Sequence, residues 1–94
     1  MNPKHVKSGV KIRVKRTSIN RKFGVSCSNI WEANNRKLWP GEIGTIVEYQ
    51  GNGWRGLKAE FEQGRTIQVG TLYEDSENWE IEVDKLEDFA IIKA

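Results

Sequence analysis

The sequence predicts a small all-β barrel of five to six short strands, with a long loop between the first two. Three observations predict it. Apolar residues alternate with period two along much of the chain, glycines fall between the alternating runs, and no stretch sustains a broad apolar face at helical spacing. Ninety-four residues suit one core, so 1–94 reads as a single domain whose first nine residues form a flexible basic arm. Closing short strands into a barrel also removes the exposed edges that invite aggregation.

The elements follow in chain order. Val10, Ile12 and Val14 alternate with Lys11, Arg13 and Lys15, the pattern of a half-buried strand with a cationic outer face. From Arg16 to Pro40 the alternation stops, and Ser, Asn, Lys and Arg surround isolated apolar residues. This segment reads as a long ordered loop, with a short helix over 29–37 capped by Ser28 or Asn29 as the alternative; loops of such length are often functional. After the Pro40-Gly41 turn, Ile43, Thr45, Val47 and Tyr49 form a second strand, and Gly44 marks a bend or a close neighbour. Glycines 51, 53 and 56 make 50–56 a loop. Leu57, Ala59 and Phe61 then supply a third strand, Gln63-Gly64 a tight turn and 66–69 a fourth strand. Residues 70–78 read as an acidic turn, and Trp79, Ile81 and Val83 as another alternating run. A single helical turn over 84–88 leads into a closing strand over 89–92.

The run Gly41 to Gly64, GEIGTIVEYQGNGWRGLKAEFEQG, resembles the central hairpin of SH3-like barrels, particularly the KOW type. Gly9 to Val14 is similar to the opening strand of such barrels, and Val83 to Phe89 to their last turn and strand. Together these segments cover about two-thirds of the chain. The resemblance implies an SH3-like barrel that binds RNA, DNA or a protein, since fold alone does not choose among these. The 25 residues of 16–40 stand where a KOW motif has a short connection.

Composition narrows the function. Cys27 is the one cysteine, so an internal disulfide is impossible; together with the absence of zinc-ligand spacing this points to a reducing compartment. The basic start lacks an apolar stretch of signal-peptide length, and no run reaches membrane-spanning length, so a cytoplasmic location is expected. Catalysis finds little support. His5, the sole histidine, reads as a surface residue near the start, Cys27 has no activating neighbour in sequence, and no phosphate-binding glycine loop or nucleophile motif is present. No enzyme activity, metal or cofactor is expected.

Charge is the informative feature. Residues 1–40 hold ten bases and one acid, net +9, whereas 41–94 hold five bases and twelve acids, net −7. Either the halves fold against each other, or one presents a face to a charged partner. Lys11, Arg13, Lys15 and Arg16 on the first strand, with Arg21, Lys22, Arg36 and Lys37 on the long loop, form a candidate phosphate grip. Trp31, Trp39 and Trp54, the last beside Arg55, offer flat faces for unpaired bases. The bland reading makes Trp31 and Trp39 lids on a small core and leaves Trp54 the tryptophan most expected to be exposed; Trp79 is assigned to the core. Nucleic acid is therefore the leading partner. The alternative is a protein held by an aromatic groove or by the acidic surface over 74–88.

Overall fold

The computed structural model of the chain describes residues 2–16, 25–27, 37–82 and 86–92. It is all-β. Seven strands occur among the described residues: β1 Lys11–Val14, β2 Ser26–Cys27, β3 Ile43–Gly51, β4 Trp54–Glu60, β5 Arg65–Tyr73, β6 Glu80–Ile81 and β7 Phe89–Ile91. β2 and β6 are two-residue pieces; the other five carry the barrel. All pairings are antiparallel, in the order β2-β5-β4-β3-β1-β7, with β6 also beside β5. A three-stranded meander thus has the first and last strands added at one side, an arrangement consistent with an SH3-like barrel. Single 3-10 turns stand at Pro3–His5 and Glu62–Gly64.

The alternation of β1 is realised directly. Ile12 and Val14 are buried while Lys11 and Arg13 are exposed. Ile46, Leu57, Ala59, Ile67 and Val69 bring the same inward parity from β3, β4 and β5. Phe89 closes the core from β7, its ring 6.3 Å from that of Phe61, and full burial of a Phe side chain contributes about 3 kcal/mol. Gly44 lies beneath Phe61: a Cβ there would stand 2.7 Å from the ring, so the absence of a side chain is what lets Phe61 reach the core. Between Leu57 and Lys58 the β4–β5 register shifts, a bulge that increases local twist and helps the sheet curl.

Two sequence expectations are corrected. Residues 50–56 are not a loop, because β3 and β4 continue through them to a two-residue turn at 52–53, where Gly53 has φ 75. Gly51 and Gly56 survive inside strands because rings cover them from directly across the ladder: Trp54 over Gly51 and Tyr49 over Gly56. The start of the expected 70–78 turn is likewise strand, since β5 runs to Tyr73 and Gly70 makes room for the β6 backbone and Ile81. The Gln63-Gly64 turn forms as expected, with positive φ at both residues. The possible helix over 29–37 lies outside the described residues except for Lys37, as does Val83. The long loop contributes β2, which pairs with β5 at the opposite side of the sheet from β1, and it buries Val25 and Leu38.

Candidate nucleic-acid interface

The long loop returns to the sheet through a turn built on one buried cation. Arg65 opens β5 on the inward parity of Ile67 and Val69, and it is 6% exposed. Burying a guanidinium is costly unless it is paired and hydrogen-bonded. Arg65 forks onto the Glu42 carboxylate through Nη1, at 3.0 Å, and Nη2. It also donates through Nη1 to the Lys37 carbonyl at 2.6 Å and through Nε to the Glu62 carbonyl at 3.0 Å. Glu42 in turn accepts the Trp39 backbone N–H at 2.7 Å. Burial pushes the Glu42 carboxyl up, but the Arg65 hydrogen bond, the Trp39 N–H and the Arg65 charge outweigh it and hold the group below its ordinary value of 4.5. Gly41, with φ 90, donates to the Val14 carbonyl at 2.8 Å, and Val14 donates back to the Glu42 carbonyl at 2.9 Å. The Trp39-Pro40-Gly41 turn is thereby fixed against the end of β1.

Trp39 stands 54% exposed on that turn and Ile43, at the start of β3, 53%. Trp39 is therefore not a lid: Leu38 takes the buried position and the ring faces solvent. Arg13, Lys15, Arg16, Pro40 and Gly41 share one shallow hollow with Val14. Lys11 and Lys37 are exposed, as are Arg13 and Arg16, and Lys15 is half-buried. The ion pairs joining described residues are Arg55–Glu48, Lys58–Glu60 and Arg65–Glu42, all within 41–94. Among the described residues, then, no ion pair ties the cations of β1 and of the loop's return to the acidic half. Arg21, Lys22, Trp31 and Arg36 lie outside the described residues.

Trp54 and Arg55 belong to the other end of the hairpin and to opposite faces of β4. Arg55 shares the inward parity of Leu57 and Ala59, pairs with Glu48 and lies 5.5 Å from the centre of the Trp79 ring. It does not join the β1 cations. Trp79 is half-buried against the core rather than inside it. Trp54, also half-buried, points to the outer face. There it meets Tyr49 edge-on at 5.3 Å and stands directly opposite Tyr73. Lys58 lies 5.1 Å from the Tyr49 ring centre, and Tyr73 is 48% exposed. Burial, and secondarily the Glu82 charge, raise the Tyr49 phenol above its ordinary value of 10.0.

Arg65, Glu42, Lys58, Tyr49 and Tyr73 were not among the residues singled out from sequence. The parity of Arg65 with Ile67 and Val69 was a usable signal, because a cation at an inward position must find a partner. Tyr73 gave none once the strand was read as ending at Val69. Among the described residues no cluster of three or more potential metal ligands occurs, and no helix is long and apolar enough to cross a membrane. No protein-family model matches the chain, and no curated protein or solved structure matches it.

Proposed function

We propose that the chain is a nucleic-acid-binding module of the KOW or SH3-like kind. Its β1 face and the return of its long loop grip the phosphate backbone, and tryptophan supports the bases. The observation that carries this reading is the set Lys11, Arg13, Lys15, Arg16 and Lys37, none ion-paired with another described residue, of which Arg13, Lys15 and Arg16 share a hollow with the fixed turn that holds Trp39 out to solvent. Cations in this state neutralise phosphates and release counterions, which gives affinity independent of sequence and sensitive to salt. The same exposure of Trp39 and Ile43 favours a second reading, a protein partner anchored on an apolar spot.

Fluorescence anisotropy of labelled RNA and DNA oligonucleotides, titrated at low and physiological salt, separates the two. Phosphate gripping predicts saturable binding that salt weakens and that Arg13→Ala and Arg16→Ala reduce about equally for every sequence. Absence of binding at low salt overturns the reading and leaves the protein partner, whose affinity would fall on Trp39→Ala and respond weakly to salt.

A further inference from the structure

Sheet register places three kinds of side chain on one outer face. Lys11 faces Thr45, and Thr45 faces Glu60, so a base and an acid stand in one row two strands apart, about 10 Å at ordinary strand spacing. Glu80 faces Thr71 and therefore lies on the same outer face, beyond β5 and about 19 Å from β1 measured along the curled sheet. Between these borders, toward the hairpin tip, lie Tyr49, Trp54, Lys58 and Tyr73. Trp54 and Tyr49 are committed to covering Gly51 and Gly56, but that duty does not account for Tyr73, which is exposed directly opposite Trp54.

We infer that the nucleic acid recognised on this face is single-stranded, its phosphates along Lys11, Arg13 and Lys58 and its bases over Trp54 and Tyr73. This rests on the phosphate-gripping reading and adds the strandedness of the ligand and the role of Tyr73. The acidic border supplies the argument. A duplex whose first backbone lay on β1 would bring its second backbone across a groove about 12 Å wide, over the zone between Glu60 and Glu80. Glu80 there repels it, and so does Glu60, which Lys58 holds only loosely at 3.9 Å across a solvent-exposed pair. A single strand has one backbone, and its unpaired bases present π-faces to rings already held in place, so little ordering entropy is lost. The path from Lys11 to Trp54 covers six residues along β3 and two strand spacings, about 22 Å, or roughly six stacked nucleotides.

The test titrates the full chain with labelled twelve-nucleotide oligothymidylate and with a twelve-base-pair duplex, by anisotropy at fixed low salt. The single strand is expected to bind at least tenfold more tightly. Tyr73→Ala should weaken single-strand binding about tenfold and leave the duplex unchanged, while Tyr73→Phe, which keeps the π-face, should bind like wild type. Glu60→Gln with Glu80→Gln should narrow the gap by strengthening duplex binding. Equal affinities for the two ligands with no response to Tyr73→Ala overturn the inference and leave phosphate binding intact; no binding of either at low salt overturns both. Tyr73 is exposed, so its variants are expected to fold, which circular dichroism checks.

Discussion

Removing either partner of the Arg65–Glu42 pair has unequal consequences. Glu42→Ala takes the forked carboxylate away from a buried guanidinium, at a cost of about 3 kcal/mol. Arg65→Met removes the charge and keeps an apolar stem, while the half-buried Glu42 turns to water, so the loss is expected to be smaller. Urea denaturation of the two variants checks the order. Acid adds a second prediction. Glu42 is held below 4.5 in the folded protein, so the unfolded chain binds its proton more readily. The stabilisation is complete above about pH 4.5 and is lost as pH falls through the lower folded value. The thermal midpoint should drop in that window, and Glu42→Gln should flatten the drop relative to wild type. Because Glu42 also holds the Trp39 N–H, loosening of the exposed turn should accompany it.

At the scale of elements, the β3–β4 hairpin shows what a one-dimensional pattern carries and what it cannot. Alternation through Ile43 to Tyr49 and Leu57 to Phe61 gave the strands, and Gly44 was legible as a close-approach position. In β3, however, the inward face is that of Gly44 and Ile46, and the set Ile43, Thr45, Val47 and Tyr49 faces outward. The continuation to Gly51 and back from Trp54 was not legible, since three glycines in six residues read as a loop. What overrides that reading is a cross-strand partnership that exists only once the hairpin register is set: Tyr49 with Gly56, and Trp54 with Gly51. The basic face of β1 was legible for the opposite reason, because it depends on parity alone. Gly44→Ala tests the close approach. The added methyl meets the buried Phe61 ring and should destabilise by about 1–3 kcal/mol in chemical denaturation. Phe61→Leu in the same chain should recover part of that loss if the contact is its cause.

For the whole molecule, charge asymmetry raised the possibility of two halves that neutralise each other. The ion pairs among described residues instead stay inside the acidic half, so the described cations of β1 and of the loop's return keep their charge at the surface. If all five described cations of β1 and the loop's return contact phosphate, the logarithm of single-strand affinity should fall with the logarithm of salt at a slope of about −3.5. Each of Arg13→Ala and Arg16→Ala should make that slope shallower by about 0.7, a change readable in anisotropy titrations at four or five salt concentrations. A slope near zero would move the weight to Trp39 and Ile43. The cationic face was readable in advance because charge needs no partner to be counted. The buried Arg65 that positions it was read past, because a cation after a turn ordinarily points to water.

The pairing of β1 with β7 also has a mechanical side. Ile12 faces Ile91 and Val14 faces Phe89, so the chain enters and leaves the sheet at the same end of adjacent antiparallel strands. A pull applied through Gly9 and Ile92 would load the bonds between those strands one after another, as in opening a zipper, rather than all at once in shear. Among the described strands β7 is held by β1 alone, so it would peel away first and uncover Phe89. Stretched between two anchors, this domain would behave as a soft joint that yields at low force and re-forms when the tension is released.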